Sequence, residues 1–414
     1  MSRYDSCFSI ISISGNIIQR TGIQELVKLI NQENAIDSGT VPRVMIDTSG
    51  DTFHWQHSNE YVINYLSQKI RDNMTRYYPD LAAAEITVSG RPWGGQETAR
   101  TFRFEIRSTD VSAQQVVFSK LCPIFPTMNP ALMEYETLRL LYDKMPLVQE
   151  GCYVPRPLDY YPELNAYSME SVGTRSFKPY LLKSNSKLRK DDALADLFSI
   201  VGRSAAWLHA FHAITRSKKV TKFEHKTIID SINEDFNYHS LRNFHFQKNT
   251  IQQLDHVMER LASLDNNYDL PCAKWHWDFT PGHVYLDNNR ISVIDILGAD
   301  DTPIYEDIGR FLASMTAINN FPFYPFYDYR RAEGPLCNRF TESYASDTGY
   351  DKELFQCFTN IYKLKYLIIW FFSQHLRVSS KINPVVGNAF ANLRLVQFYE
   401  KPILNTIQKI NERI

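Results

Sequence analysis

Two aspartates in one short stretch are the residues best suited to chemistry. The segment Trp275-His276-Trp277-Asp278-Phe279-Thr280-Pro281-Gly282-His283-Val284-Tyr285-Leu286-Asp287 is followed by Arg290-Ile291-Ser292-Val293-Ile294-Asp295-Ile296-Leu297-Gly298. Asp278 and Asp295 stand among Trp, Ile and Val, at the ends of predicted β segments joined by a tight Asn288-Asn289 turn. A carboxylate in apolar surroundings is costly unless a cation or a donor compensates it. Two of them brought together by a hairpin suggest a metal ligand and a proton acceptor.

The elements that must position them fall into three stretches. Residues 1–80 read as a small α/β extension: a strand over Cys7 to Ser14, then helical spacing over Ile23 to Asn31 and Tyr61 to Tyr78, closed by Pro79. No chemistry is legible there. Residues 81–173 read as strands and one helix. Ile86-Thr87-Val88 leads into a glycine-containing loop through Gly90, Gly94 and Gly95, then Thr101 to Ile106, which predicts a hairpin with a flexible tip. Val116 to Leu121 is a third strand, and a helix starts at Asn129-Pro130, where Asn can cap and Pro can occupy the first turn. A further strand, Ala166 to Glu170, ends at Gly173, where a linker is expected. Residues 174–414 are mostly helical by pattern, beginning with the stripe Leu194, Leu197, Phe198, Val201, Ala205 and Leu208. The strand-rich passage between Lys274 and Gly298 is the exception.

That passage resembles the core of the aminoglycoside phosphotransferase and choline kinase family, the small-molecule branch of protein-kinase-like folds. The family shows H-x-D-x-x-x-x-N and then a second Asp after an apolar strand; His276-Trp277-Asp278 and Val293-Ile294-Asp295 match. Supporting similarities run from about Ile86 onwards. Lys120 resembles the lysine of the third strand, and Glu134 its helix partner, with Glu136 as a competitor two residues on. Met169-Glu170-Ser171-Val172-Gly173 is similar to the hinge, Trp207-Leu208-His209-Ala210 to the helix before the catalytic loop, and Tyr305-Glu306-Asp307-Ile308 to the helix whose acid braces that loop.

The resemblance implies an α+β, two-lobed protein-kinase-like fold: a small antiparallel-sheet lobe and a mainly helical large lobe, preceded by the extension. It implies ATP (or GTP) and Mg²⁺ in the cleft between lobes. Lys120, held by Glu134, would meet the nucleotide's phosphates; Gly94 and Gly95 would close over them; Met169, Glu170 and Val172 would line the base. Asp278 would accept the proton of an acceptor hydroxyl, His276 would order the loop by hydrogen bonding, and Asp295 would ligate Mg²⁺. Phosphoryl transfer asks mainly for positioning and charge neutralisation, which these residue types supply. The glycine loop is not a G-x-G-x-x-G. Where the family carries Asn, this chain has His283. Mg²⁺ prefers oxygen ligands, whereas imidazole suits other metals. The second metal position is therefore expected to be weakened or lost, or His283 to contact a phosphate in its protonated form.

Composition narrows the function classes. The chain has 414 residues, 44% hydrophobic and 22% charged, as expected of folded soluble domains rather than a disordered or fibrous chain. Lys and Arg number 45 and Asp and Glu 46, a net charge of −1, so no global basic field draws nucleic acid, and no nucleic-acid partner is expected. The six cysteines, Cys7, Cys122, Cys152, Cys272, Cys337 and Cys357, form no C-x-x-C pair and read as buried thiols in a reducing compartment. The most apolar run, Tyr366 to Phe372, is far short of the roughly 20 residues that cross a bilayer. A cytoplasmic location is the default.

The expected function is transfer of a γ-phosphoryl group to a hydroxyl of a small molecule or glycan, with a nucleotide-binding pseudokinase and a nucleotidyl transferase as alternatives. Asp307 reads as a brace, His209 and His212 as core and surface histidines. Asp300-Asp301 is a solvated turn or an acceptor contact. The aromatic cluster from Phe321 to Arg331 is interhelical packing or an acceptor platform. Acceptor and oligomeric state stay open, the extension being the candidate for self-association or acceptor capture.

Overall fold

The structure, a computed structural model, describes residues 57–81, 85–94, 99–108, 114–123, 129–173, 175–185, 192–236, 246–263, 268–287, 289–317, 331–346, 348–379 and 387–413. The expected first strand and helix, Cys7, Gly95 and the aromatic cluster up to Arg330 lie outside the described residues. The chain forms two compact units, one of Met1–Asp143 with Val154–Val172, the other of Lys144–Tyr153 with Gly173–Ile414.

The first unit is built on one antiparallel sheet. Helix α1 (Asn59–Asp72) is capped by Ser58, whose side chain accepts from the Tyr61 N–H, and carries Lys69 and Arg71 in its last turn, matching the helix dipole. Strands β1 (Ile86–Trp93), β2 (Arg100–Ser108) and β3 (Gln114–Leu121) are followed by α2 (Pro130–Val148). The Oδ1 of Asn129 accepts from the Leu132 N–H at 2.9 Å, so the Asn-Pro pair does begin the helix. After β4 (Cys152–Tyr153), which belongs to the second unit, β5 (Pro157–Tyr161) and β6 (Ala166–Glu170) complete the sheet in the order β1-β2-β3-β6-β5. One face of it, with Phe102, Phe104, Ile106, Val117 and Leu121, shares a core with Val62, Leu66 and Ile70 of α1. A boundary at residue 80 thus runs through a shared core. The apolar period identifies a buried helix face but not the surface that buries it.

Gly90 has a different place from the one expected. It lies inside β1, paired with Phe104, and a Cβ there would stand 2.4 Å from the Phe104 ring and 2.9 Å from Ile63. It is a packing glycine in a strand that continues to Trp93, and the turn begins only at Gly94, whose φ is +80°.

The second unit holds two small sheets among helices. The sheet β4-β11-β10-β7 contains the hairpin of β10 (Val284–Asp287) and β11 (Arg290–Val293), with β7 over Arg175–Ser176. The sheet β12-β9-β8 contains β8 (Val220–Lys222), β9 (Asp269–Trp277) and β12 (Ile296–Pro303). In chain order the helices are α3 (Phe177–Ser184), α4 (Asp192–Ile214), α5 (His225–Phe236), α6 (Lys248–Ser263), α7 (Tyr305–Thr316), α8 (Cys337–Ala345), α9 (Lys352–Ser379) and α10 (Gly387–Asn411). The apolar run from Tyr366 lies inside α9. Among the described residues no helix is long and apolar enough to cross a membrane.

Candidate active site

On the sheet of the first unit, side chains alternate between the core and the opposite face. The register pairs Lys120 with Thr101 and with Tyr167, which sets these residues on the face away from α1. The Lys120 Nζ donates to both carboxylate oxygens of Glu134, at 2.8 and 2.9 Å, and the Tyr167 hydroxyl donates to the Glu134 Oε2 at 2.6 Å. Glu134 is buried whereas Glu136 is exposed, because two positions along a helix point to different sides. Phe118 and Met169, a register pair next to that of Lys120 and Tyr167, add apolar surface to the same face. Glu170 is held by Arg156 at 2.6 Å. The Glu170 and Ser171 N–H groups donate to the carbonyls of Arg156 and Val116, whereas Val172 makes no backbone hydrogen bond among the described residues.

In the second unit, β9 and β12 explain how the two aspartates meet. They are antiparallel with Trp277 opposite Ile296. Asp278 comes one residue after Trp277 and Asp295 one before Ile296, so both leave the sheet at the same end. The sequence pattern puts Asp295 at the end of a β segment. The structure stops β11 at Val293 and starts β12 at Ile296 in a different sheet, with Asp295 between them at a φ of +58°. Trp277, before Asp278, has a φ of +81°. A side chain in this region costs about 1–2 kcal/mol. Such strain persists where the surrounding structure overdetermines it, commonly at functional sites.

His283 sits between the aspartates. Its Nε2 lies 3.4 Å from the Asp295 Oδ2, and its Nδ1 lies 2.7 Å from the Asp278 carbonyl and 3.4 Å from the Asp278 Oδ2. The β10–β11 hairpin sets this up, since the Ile294 N–H donates to the His283 carbonyl. The Asp278 and Asp295 side chains keep about a third of their surface open, at 37% and 33%.

Sequence reasoning missed Arg310. Its Nε donates to the Asp278 Oδ1 at 3.1 Å, from a buried position over the ring of Tyr366. Burial opposes its charge, but Asp278 and Tyr366 outweigh that and raise the guanidinium above its ordinary value. Glu306 accepts from Lys365 and from the Tyr366 hydroxyl, both at 2.7 Å, which locks α7 to α9 beneath this arginine. The available signal was the helical spacing, since Arg310 lies three residues after Asp307 on one helix face.

Asp307 braces the strand: its Oδ2 accepts the His276 N–H at 3.0 Å and faces the His212 Nε2 at 3.2 Å. The expected role of the His276 ring is corrected. It is fully buried, stacked edge-on against Trp207, Phe211 and Phe279, and neither nitrogen has a hydrogen-bond partner among the described residues. Burial, assisted by the nearby His283, pushes it well below the usual histidine range, so it is a neutral core residue. Its backbone does the ordering that its ring was expected to do.

Solved structures have this architecture. Choline kinase from Cryptosporidium parvum Iowa II matches 86% of this chain and 99% of its own at 12% identity, with a TM-score of 0.50. The fold is protein-kinase-like. Further structural neighbours at high probability are a choline/ethanolamine kinase family protein from Mesorhizobium loti (14% identity, 84% of this chain and 99% of that one, TM-score 0.46) and an ADP-bound aminoglycoside phosphotransferase (12%, 81% and 98%, TM-score 0.41). No protein-family model matches the chain, and no curated protein matches it by sequence.

Proposed function

We propose that the protein moves the γ-phosphoryl group of ATP or GTP to a hydroxyl of a small molecule or glycan. The observation that carries this reading is the convergence of Asp278 and Asp295 on one imidazole, each 3.4 Å from it, at the open end of a strand pair. Asp278, oriented by Arg310, takes the proton of the acceptor hydroxyl as its oxygen bonds to the γ-phosphorus and the bond to the leaving diphosphate breaks. Lys120, fixed by Glu134, pairs with the nucleotide's phosphates. The base lies against Phe118 and Met169, and Val172 supplies the free backbone donor and acceptor for its edge.

Asp295 is the ligand of Mg²⁺. Among the described residues no three His, Cys, Asp or Glu side chains form a metal cage. The donor set fits an ion that takes one or two carboxylates and fills its shell with water and phosphate oxygens. The imidazole of His283 does not suit a second Mg²⁺. The bound ion would neutralise charge on the phosphates. The five described cysteines are buried and form no disulfide among the described residues; the location proposed is a reducing compartment, the cytoplasm.

A screen of hydroxyl compounds for nucleoside-diphosphate release, run with Mg²⁺ and Mn²⁺, tests the reading. Turnover in the native chain should fall by about a thousandfold or more in Asp278→Asn while nucleotide binding persists. Retained phosphorylation in that variant overturns the assignment. The position of His283 between the aspartates favours a second reading, a pseudokinase; nucleotide binding without turnover on any acceptor selects it.

A further inference from the structure

The β1–β2 hairpin of the first unit sets arginine against arginine. Arg91 of β1 is the register partner of Arg103 of β2, and like charges directly opposite one another cost stability. Glu105, the next acid along β2, accepts from Arg103 and, at 2.8 Å, from Arg107, so one carboxylate serves two guanidiniums. Both members of the opposed pair also lie over one indole. The Arg91 Cζ is 4.9 Å and the Arg103 Cζ 5.5 Å from the centre of the Trp93 ring, and that ring meets Phe118 of β3 edge-on at 5.9 Å. Trp93 keeps 43% of its surface open, and Arg91 is exposed beside it.

Alternation places this group on the Lys120 side of the sheet. Trp93 pairs with Thr101 and Thr101 with Lys120, while Arg91 pairs with Arg103 and Arg103 with Phe118. The two rows lie two residues apart on each strand, so they share one face. Trp93 and Lys120 are two strand spacings apart, about 10 Å at the backbone, and both arginine heads reach the Trp93 ring. Two guanidiniums and one ammonium therefore border one strip of sheet. An anion along that strip offsets the repulsion between Arg91 and Arg103 and takes their paired N–H donors. A chain of phosphates can meet Lys120 at one end and the guanidiniums at the other. The hairpin is not a G-x-G-x-x-G, so side chains are the donors to look for.

We propose that Arg91 and Arg103, spread over Trp93, clamp the phosphate chain of a nucleoside triphosphate that also meets Lys120. The proposal rests on the phosphotransferase reading and adds to it the side chains that hold the outer phosphates. Calorimetry on the full chain tests it, with ATP or GTP in the presence of Mg²⁺, with the monophosphate, and with the nucleoside. The native protein should bind the triphosphate most tightly. Arg91→Met loses a cation–π contact and a like-charge repulsion of similar size, so it should melt as the native protein does. It should bind the triphosphate about tenfold more weakly and the nucleoside equally well. Arg91→Lys keeps the charge without the planar fork and should fall between the two. Trp93→Leu keeps both cations without the ring they lie on, and it should also weaken the triphosphate alone. Equal binding of the triphosphate by the native chain and Arg91→Met overturns the clamp and leaves the phosphotransferase reading standing. An equal loss on triphosphate and nucleoside also overturns the clamp, since Arg91 would then meet the base. Failure of every nucleotide to bind the native protein overturns the reading and the clamp with it.

Discussion

The Lys120–Glu134 pair and the Asp278–His283–Asp295 group are both clusters of charge, but they are built on opposite terms. The first joins a regular strand to a regular helix, matches one cation to one anion, and adds the Tyr167 hydroxyl to the same carboxylate. The second stands beside two residues of positive φ, sets two carboxylates around one imidazole, and leaves about a third of each acid open. The first answers its acid with a cation and a hydroxyl. The second holds two acids that keep part of their surface exposed, with Arg310 on Asp278. A closed cluster holds a cation in place, whereas an open one invites another cation to enter.

The largest effects should come from breaking each cluster's own logic. Lys120→Met removes the cation from a buried acid, so it should lose stability and also weaken nucleotide binding by about tenfold or more. Asp295→Ala removes an open acid, so it should weaken binding of the Mg–nucleotide complex at little cost in stability. Calorimetry and denaturant titration on the two variants check this; equal losses of stability would end the distinction between closed and open clusters.

The support beneath the open cluster can be tested next. A Cβ on Gly309 would stand 2.6 Å from the backbone carbon and the Cβ of Tyr362, so α7 and α9 approach closely because this residue has no side chain. Gly309→Ala should cost about 1–3 kcal/mol and displace Arg310 from Asp278. Denaturant midpoints and turnover should therefore fall together.

Legibility in the sequence followed the range of the interaction. The Asn129-Pro130 start of α2 follows from local rules of capping and stands as read, whereas the pairing of Lys120 with Glu134 was implied by the resemblance, and the structure joins the two side chains. Asp278 and Asp295 lie within one hairpin passage, so spacing alone placed them together, while His283 entered through the resemblance. Arg310 belongs to a distant helix, and only the packing of α7 on α9 brings it to Asp278. Gly90 was misread for a different reason: a glycine in a strand looks like a loop until the ring it packs against is known. The ring of His276 was taken for a hydrogen-bonding group because the resemblance implied it; it is packed among Trp207, Phe211 and Phe279, and neither nitrogen has a partner among the described residues.

His283 should give a smaller effect that sharpens the same comparison. Protonation of His283 puts a cation between the two acids where the metal's charge is wanted. Activity should therefore fall as pH drops through the histidine range, and His283→Asn should flatten the profile by putting a neutral amide there. Identical profiles would remove the idea.

His276 carries the smallest expected effect, and it appears in stability rather than turnover. The folded protein keeps this ring neutral well below the usual histidine range, because burial among aromatic rings disfavours its charge. The unfolded chain takes up the proton near pH 6.5, so below that point the unfolded state binds more protons than the native one. Stability then rises with pH in this window and is lost as the pH falls from about 6.5 towards the lower folded value. At pH 5.5, one unit down, the loss is about 1.4 kcal/mol. His276→Leu removes the titration and the two orphaned nitrogens together. Denaturant unfolding at pH 7.5 and 5.5 should show the variant losing about 1.4 kcal/mol less than the native protein between the two conditions. An equal loss in both would mean that the ring is charged or solvated in the folded state, and the aromatic floor under the hairpin would have to be redrawn.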